Sequence, residues 1–265
     1  MILDELTSNP SKLFESRHFC AKFDIAKSSL SEDIKLINEI LQENGSGHIE
    51  SIQGVGGGIK FVPGISAERI RNLQKELIDS LSDPSRMLGG SYLYTSDIMF
   101  DGRFVSDMAR TFAQSFCGLD ADYIVTVETK GIAIAAQTAF MLGIPLVVIR
   151  REAKYSEGST VSINYFSGTN ERIQKMSIAK RAVKPGSKAI IIDDFMRGGG
   201  SLKGIRDILE EFDVTTVGIG VALESRLPEK KKVDDYISIL IIDEIDEESK
   251  TIRITANSSI LKEEE

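Results

Sequence analysis

A stretch of thirteen residues, 189–201, constrains the fold of this chain more than any other feature. It begins with four apolar residues, continues through Asp193 and Asp194 into a glycine-rich turn, and ends at Ser201. A continuous apolar run is typical of a strand covered on both faces of a parallel sheet, and glycines followed by serine are typical of a turn that opens a helix. The pattern therefore predicts a strand, a ligand-facing loop and a helix at the carboxyl edge of a sheet.

Each part of this stretch suits a ribose 5-phosphate. Backbone amides at a helix N-terminus bind phosphate, glycines let the backbone come close, and Ser201 adds a hydroxyl donor. Asp193 and Asp194 accept hydrogen bonds from vicinal ribose hydroxyls, directly or beside a bound Mg²⁺. The alternative is that two acids cap a helix and the glycines only form a turn. The lysine of a Walker loop and the spacing of a dinucleotide-binding loop are both missing here.

A second loop has a similar character. Residues 123–127 form a strand-like run that ends in Glu128, Thr129, Lys130 and Gly131 before an apolar helix. This order puts backbone amides and a cation where an anion could dock. The alternative is that Lys130 is an ordinary solvated loop residue.

The C-terminal part of the chain alternates between strand and helix patterns, which predicts an α/β fold with a mostly parallel sheet and helices on both faces. A hairpin with its tip at residues 167–170 is expected between the two loops. The predicted strands are residues 123–127, 146–149, 160–166, 173–179, 189–192, 215–221 and 236–242, and the predicted helices are residues 131–141 and 199–212.

The first 64 residues have a different pattern, of helices followed by a hairpin. Helical signals cover residues 3–9 and 11–22, and an amphipathic helix is expected at about residues 28–43, opened by a capping box of Ser29 and Glu32. Two short β-like runs then flank a glycine-rich turn. This order resembles a winged helix-turn-helix domain, which binds DNA, although a small helical cap on an enzyme has the same periodicity. The candidate DNA contacts are Arg17, Lys27, Ser28, Ser29, Ser31, Lys35 and Lys60.

Charge restricts the DNA interpretation. The formal net charge is -8, from 32 basic and 40 acidic residues, and residues 1–64 hold six basic against nine acidic side chains. Phosphate contacts dominate DNA affinity, so the basic side chains must gather on one face or be pooled by a dimer.

Composition and the N-terminus indicate a cytoplasmic protein. The two cysteines, Cys20 and Cys117, are far apart and lack the spacing of a zinc site or a disulfide framework. No apolar run reaches the ~20 residues of a membrane span, and Asp4 and Glu5 follow the first three residues where a secretory signal would be basic and then apolar. We expect no membrane partner and no directly bound structural metal.

The chain divides at its glycine and proline clusters. We expect a winged-helix domain at residues 1–64, a linking helix at residues 65–82 and an effector-binding domain at residues 83–265. The linking helix carries one apolar stripe of Ile70, Leu73, Leu77, Ile78 and Leu81.

Residues 189–201 resemble the signature of type I phosphoribosyltransferases, which bind 5-phosphoribosyl 1-pyrophosphate (PRPP). The second loop then corresponds to the pyrophosphate loop of that fold, and the hairpin resembles its flexible lid. The whole chain resembles the family of purine operon repressors of Gram-positive bacteria. Residues 26–34, 55–61, 157–165 and 191–196 carry this second resemblance.

The resemblance implies a homodimeric transcriptional repressor of purine biosynthesis and transport genes that PRPP releases from double-stranded DNA. No cofactor is required, PRPP with Mg²⁺ is the effector, and the guanine alarmone ppGpp is a competing ligand. Tyr92 and Phe195 are candidates to contact a base, or are core aromatics. The implied effector contacts are Tyr92, Thr129, Lys130, Gly131, Asp193, Asp194, Phe195, Met196, Arg197, Gly198, Gly199, Gly200 and Ser201.

One departure from the enzymes bears on activity. Enzymes of this fold commonly carry threonines where Arg197 and Gly198 stand, so hydroxyl donors are lost while the backbone amides remain. No segment is assignable as an acceptor-base pocket. We therefore expect effector binding without catalysis; the alternative is an active purine phosphoribosyltransferase with a helical N-terminal appendage.

Overall fold

The computed structural model describes residues 1–90, 92–152, 158–167 and 172–261 of the chain. Glu157 and residues 168–170 of the expected hairpin tip lie outside the described residues. The described chain contains a helical N-terminal module with a two-stranded hairpin, followed by a six-stranded sheet and a second hairpin.

The N-terminal module has the winged helix-turn-helix arrangement that the sequence predicts. Three helices enclose a small core, and the antiparallel hairpin completes it through Ile49, Ile59 and Phe61. The elements are α1 (Ile2–Ser8), α2 (Ser16–Phe23), α3 (Lys27–Glu43), β1 (Gly47–Ile52) and β2 (Gly58–Pro63).

The helical signal over residues 11–22 is wrong for its first five residues. There the chain is not helical, and Phe14 pairs with Ile59 through two backbone hydrogen bonds of 2.9 and 2.8 Å. Phe14 is buried against Phe19 in the module's core. Burial of one aromatic ring beside the wing strand therefore outweighs the local helical pattern, and α2 starts only at Ser16.

The predicted capping box is also wrong. The residue that precedes α3 is Ala26, which has no side-chain cap, and Ser29 lies within the first turn of the helix. Asp24 takes a left-handed conformation and Ala26 an extended one, so the tight turn after α2 sets the start of α3 at Lys27.

The C-terminal domain is built on a sheet of order β10-β9-β8-β7-β3-β4. All neighbouring strands are parallel except β10 and β9, which confirms the predicted mostly parallel sheet. Its elements, together with the preceding helix, are α4 (Ala67–Leu81), α5 (Ser96–Met99), α6 (Gly102–Phe116), β3 (Tyr123–Val127), α7 (Gly131–Leu142), β4 (Leu146–Ile149), β5 (Thr160–Ser167), β6 (Arg172–Ala179), β7 (Lys188–Met196), α8 (Gly200–Glu210), β8 (Thr215–Ser225), β9 (Tyr236–Asp246) and β10 (Thr251–Ala256).

Helices cover both faces of this sheet, as predicted. Ile190 and Ile192 of β7 pack in one core with α4, α6 and α7, whereas Ala189 and Ile191 pack in a second core with α8 and the β5–β6 hairpin. Because successive strand residues face opposite sides, two covered faces require the uninterrupted apolar run that precedes Asp193.

Helix α4 forms where the linking helix was expected, but its apolar stripe is buried in the core of the C-terminal domain. Gln74, in the middle of the stripe, is 2% exposed and donates to the carbonyls of Ile239 and Asn257 at 3.0 and 2.9 Å. The helix is therefore part of the sheet domain rather than a free connector.

The N-terminal module contacts the sheet domain through few hydrogen bonds. The Ser11 hydroxyl donates to the carbonyl of Met141 at the end of α7 (2.9 Å), and the Ile65 amide donates to Gln114 of α6 (2.8 Å). Helix α7 thus begins at the second predicted ligand loop and ends against the N-terminal module.

Candidate functional site

A cleft of about 520 Å³ opens at the carboxyl ends of β3, β7 and β8. It brings together residues from both predicted ligand loops and from the segment before α5, although these lie up to about a hundred positions apart in the chain. The predicted effector residues that line it are Tyr92, Thr129, Lys130, Asp193, Asp194, Phe195 and Ser201.

The two carboxylates have different surroundings. Asp193 is 4% exposed, and its Oδ1 accepts a hydrogen bond of 2.9 Å from the amide of Asp194. Burial, and then the neighbouring Asp194, raise the pKa of Asp193 well above its ordinary value. Burial also raises the pKa of Asp194, while the hydrogen bond with Asp193 and the charge of Lys130 act in the opposite direction. Asp194 is therefore the more open of the two groups.

The lack of a side chain at Gly131 leaves room for Asp193 and Thr126. A Cβ atom at Gly131 would lie 2.8 Å from Oδ1 of Asp193 and 2.7 Å from Oγ1 of Thr126, closer than real contacts allow. The predicted role of Gly131 as a ligand contact stays a prediction, because it does not line the cleft. Its small size is what lets α7 approach the carboxylate loop.

Lys130 lies at the cleft and is held there. Its Nζ donates to the hydroxyl of Thr95, which is buried, over 3.1 Å. The preceding Glu128 is also held, since its carboxylate accepts from the Arg151 amide (2.7 Å) and from Nη1 of Arg150 (3.3 Å). Lys130 is thus held at the cleft by a side-chain hydrogen bond, and its contact with an anion stays a prediction.

The glycine-rich loop leaves donors available. Gly199 has a φ of +75°, a left-handed conformation that favours glycine, and it directly precedes α8. Within the described ranges, the amides of Gly198, Gly199, Gly200 and Ser201 donate to no acceptor. This arrangement suits a phosphate at the N-terminus of α8, next to the Ser201 side chain.

Four predicted effector residues of this loop, from Met196 to Gly199, are not among those that line the cleft, and neither is Gly200. Met196 as a whole is 1% exposed, packs in the core with α8 and pairs with Glu224 of β8, so its role as an effector contact also stays a prediction. The roles of Arg197, Gly198, Gly199 and Gly200 stay predictions.

The cleft has an apolar end that the sequence analysis missed. Next to Tyr92 and Phe195 it is lined by Leu93, Leu223, Ile242 and Ile245. An apolar surface therefore lies in the same cleft as Asp193 and Asp194, although no sequence segment was assigned as an acceptor-base pocket. These side chains come from a loop and from strands β8 and β9, so they form no continuous sequence motif from which the surface could be predicted.

The β5–β6 hairpin is packed at its base. Met176 and Ile178 are buried on α8, and the hairpin joins the sheet domain through backbone bonds between Ser177 and Arg150 of 2.7 and 3.0 Å. Gln174 of β6 lines the cleft and is a further residue that the sequence did not single out.

Three of the seven candidate DNA residues share one groove of the N-terminal module. Arg17, Lys27 and Ser31 line a groove of about 440 Å³ between α2, α3 and the glycine-rich turn of the wing. Ser28, Ser29 and Lys35 are exposed on α3. Of the six basic residues of the module, Arg17 and Lys27 share this groove, and the gathering of all six on one face stays a prediction.

Acidic neighbours reduce the positive charge of this surface. Arg17 contacts Glu15 at 2.9 Å, Lys60 contacts Glu50 at 3.0 Å, and Lys35 lies 3.9 Å from Glu39. Lys27 forms no ion pair with any residue that the structure describes. It is consequently the least neutralised of the candidate cations.

Two kinds of feature are absent from the described ranges. No helix there is both long and apolar enough to span a membrane. No group of three or more potential metal-ligating side chains occurs in the same residues.

Comparison with known proteins matches both parts of the chain. The family described as "Bacterial purine repressor, N-terminal" matches residues 1–63, and the "Phosphoribosyl transferase domain" family matches residues 103–254. Among solved structures, the adenine phosphoribosyltransferase from Thermoanaerobacter pseudethanolicus superposes with a TM-score of 0.54 at 22% identity, covering 63% of this chain and 98% of that one. This likeness shows the fold of the C-terminal domain.

Two relatives match most of this chain. The "Purine biosynthesis transcriptional repressor PurR" of Bacillus subtilis is 39% identical over 94% of this chain and 87% of its own length. The "Purine biosynthesis transcriptional activator PurR" of Lactococcus lactis subsp. lactis is 34% identical over 94% of this chain and 92% of its own length. The chain therefore belongs to the PurR family of bacterial purine biosynthesis transcriptional regulators, with a repressor-type N-terminal domain followed by a phosphoribosyltransferase fold.

Proposed function

We propose that this protein is a cytoplasmic, homodimeric repressor of purine biosynthesis and transport genes, and that PRPP bound with Mg²⁺ lowers its affinity for DNA. The observation that carries the proposal is a cleft in which Lys130, Asp194 and Ser201 converge, in the same chain as a winged helix with an exposed Lys27. A dimer would also double the small number of cations available to DNA.

The polar groups of the cleft would match the 5′-phosphate, the ribose and the pyrophosphate of PRPP in turn. Ser201 and the free amides of the glycine-rich loop would take the 5′-phosphate, and Asp194 would accept from the ribose hydroxyls. Thr129 and Lys130 would take the pyrophosphate. Asp193 would hold the amide of Asp194 from its buried position. Mg²⁺, when bound with the effector, supplies positive charge to the pyrophosphate, and the carboxylate of Asp194 is a chemically suitable neighbour.

Repression is proposed over activation because the relative named as a repressor is the more similar of the two, at 39% against 34% identity. In vitro transcription from a purine promoter tests the direction. The proposal expects less transcript with the protein alone and recovery when PRPP and Mg²⁺ are added. More transcript in the presence of the protein would contradict it.

We propose a non-catalytic domain because Arg197 and Gly198 lack the hydroxyls common in the enzymes. The apolar end formed by Leu93, Leu223 and Ile242 favours two ligands besides PRPP. It could hold the guanine of ppGpp, which also offers a ribose and two pyrophosphates, or the acceptor base of an active purine phosphoribosyltransferase. Pyrophosphate release with adenine, guanine, xanthine or hypoxanthine plus PRPP would support the enzyme.

The main test is a titration of labelled purine control DNA, followed by fluorescence anisotropy, with and without PRPP and Mg²⁺. We expect binding at low salt and weaker binding with the effector; ppGpp added together with PRPP should restore binding. Absence of DNA binding at low salt under both conditions would overturn the repressor proposal.

Paired carboxylate variants separate the two parts of the proposal. Asp193→Ala with Asp194→Ala should abolish the PRPP response and leave DNA binding intact. The control is Glu210→Ala with Glu211→Ala, which removes two adjacent exposed carboxylates at the end of α8. Loss of DNA binding in the first variant alone would contradict the division of labour between the domains.

A further inference from the structure

A group of partly buried charged and polar residues lies behind the glycine-rich loop, on the side away from the free amides. Lys231, in the loop between β8 and β9, donates from Nζ to the carbonyl of Arg197 at 2.8 Å. The same ammonium donates to the carbonyl of Ser225 and, at 3.4 Å, to that of Arg226. All three protons of one ammonium group therefore bind backbone carbonyls, and one of these carbonyls belongs to the predicted phosphate loop.

The next residue continues the contact. The amide of Lys232 donates to the carbonyl of Gly198 at 3.0 Å. A Cβ atom on Gly199 would lie only 3.2 Å from Cγ2 of Val233. Two consecutive carbonyls of the glycine-rich loop are thus held by Lys231 and Lys232, against a closely packed loop.

Holding the carbonyls fixes the amides. In a trans peptide unit the C=O and N–H bonds point in opposite directions, and the carbonyl of Arg197 shares its unit with the amide of Gly198. The carbonyl of Gly198 likewise shares a unit with the amide of Gly199. Both amides are therefore directed away from the Lys231 side, and neither donates to an acceptor in the described ranges.

Glu224 provides a counter-charge for Lys231. Burial lowers the pKa of Lys231, and the charge of Glu224 opposes that effect. The Tyr236 hydroxyl is hydrogen-bonded to Glu224, and burial followed by this contact raises the pKa of Tyr236 to about 12. Oε2 of Glu224 is buried and has no hydrogen-bond partner among the described residues. A buried charge left partly unsatisfied costs stability, so packing alone gives no reason for it.

We propose that Lys231 is a positioning residue that orients the amides of the glycine-rich loop toward the 5′-phosphate of the effector. The inference rests on the proposed function of the cleft, since it assigns the phosphate to that loop. Lys231 itself does not touch the ligand.

Two small probes separate the two ends of the cleft. Ribose 5-phosphate tests the glycine-rich loop, and pyrophosphate with Mg²⁺ tests the loop of Thr129 and Lys130, both by isothermal titration calorimetry. Lys231→Met removes the ammonium, Lys231→Arg keeps a donor cation, and Lys230→Met is the matched control at an exposed neighbouring lysine.

We expect Lys231→Met to weaken ribose 5-phosphate binding about tenfold, because misdirected amides lose charge-assisted hydrogen bonds to the phosphate. Pyrophosphate binding should stay unchanged, Lys231→Arg should restore most of the lost affinity, and Lys230→Met should resemble the unaltered protein. Unchanged ribose 5-phosphate binding in Lys231→Met would overturn the proposal. An equal loss of both probes would also overturn it, since that result indicates a general structural role.

The same experiment distinguishes this inference from the proposed function. If the unaltered protein binds neither probe, the proposed function and the role of Lys231 are both overturned. If the unaltered protein binds the two probes and Lys231→Met binds them equally well, only the role of Lys231 is overturned. If Lys231→Met does not fold, Glu224→Gln replaces it as the decisive variant. We expect Glu224→Gln to bind ribose 5-phosphate about threefold more weakly, because the buried ammonium loses its counter-charge, and equal binding would contradict the proposal.

Discussion

The proposed effector cleft and the candidate DNA-binding surface would both bind phosphates, but they are built differently. In the cleft, polar groups are buried and held by neighbours: Asp193 binds the Asp194 amide, and Lys130 binds Thr95. On the N-terminal module, the candidate contacts are exposed and most of the cations have an acidic partner. A small ligand is recognised by donors fixed in advance, whereas DNA is recognised by surface charge spread over several elements.

This difference has an energetic consequence. Exposed ion pairs such as Lys60–Glu50 contribute only ~0–1 kcal/mol, so a DNA phosphate can replace the acid at little cost. The carboxylate of Asp193 is buried, accepts a hydrogen bond from the Asp194 amide and lies close to Gly131. Single substitutions should therefore disable the cleft, while the DNA-binding surface should respond in small steps.

The largest effect is expected at Gly131. Gly131→Ala forces a methyl group against Asp193 and Thr126 and should weaken PRPP binding about a hundredfold, because the carboxylate loop must shift. Calorimetric titration with PRPP and Mg²⁺ measures this loss. Gly102→Ala is the control, since a Cβ atom there meets nothing within 4 Å. Equal PRPP affinity in the two variants would show that the cleft is as adaptable as the DNA-binding surface.

The next largest effect concerns Lys27, the candidate cation without an ion pair among the described residues. Lys27→Ala should weaken DNA binding about tenfold at low salt and make the salt dependence shallower by about one phosphate contact. Anisotropy titrations over a series of salt concentrations measure both. Lys75→Ala, on the exposed side of α4, should change neither. An unaltered salt slope in Lys27→Ala would remove this residue from the DNA contact.

A smaller effect is expected on the stability of the folded protein, because burying the carboxyl group of Asp193 costs free energy. In the unfolded chain Asp193 ionises at its ordinary pKa, whereas in the folded protein burial raises the pKa of Asp193. The protonated carboxyl group therefore contributes stability at low pH, and this contribution is lost as the pH rises through the raised pKa. Asp193→Asn should therefore stabilise the ligand-free protein by about 1 kcal/mol near pH 8 and have little effect below the ordinary pKa of aspartate.

Thermal unfolding across this pH range tests the prediction. Asp120→Asn is the control: the exposed Asp120 pairs with Lys188, which lowers the pKa of Asp120. It should bring no gain at high pH. Lower stability of Asp193→Asn near neutral pH would mean that the charged carboxylate is better satisfied than its burial indicates.

The smallest effect should be a gain of function on the DNA-binding surface. Glu50→Gln frees Lys60 from its partner and should strengthen DNA binding about twofold at low salt, with the difference disappearing at high salt. Asp79→Asn, an exposed acid on α4, controls for the change in net charge. An equal gain in both variants would show that total charge matters and that Lys60 has no specific contact.

Local patterns predicted the elements that depend on local physics. The run before Asp193 predicted a doubly covered strand, and β7 has that environment on both faces. The order of strand, acids, glycines and serine predicted one half of the cleft, because its parts are consecutive in the chain. The spacing of Ile70, Leu73 and Leu77 predicted α4, although it could not tell which domain buries the stripe.

The wrong and missing predictions share a cause. Helix α6 and strand β10 were not predicted, and the start of α3 was assigned to a capping box that does not form. At residues 11–15 the pairing of Phe14 with the wing replaces the helix that the local pattern indicates. Propensity and caps contribute about 1 kcal/mol each, so a single buried ring or a constrained turn is enough to override them.

The sequence by itself determined the two-part organisation, the mostly parallel sheet and the positions of the two loops that meet at the cleft, because each of these depends on residues that are neighbours in the chain. Only the tertiary structure decided which distant side chains meet. It placed the apolar end of the cleft beside Asp194, Thr95 beside Lys130, and Lys231 behind the glycine-rich loop. Such contacts depend on how strands and loops pack, and the distances between remote segments produce no periodic pattern in the amino-acid sequence.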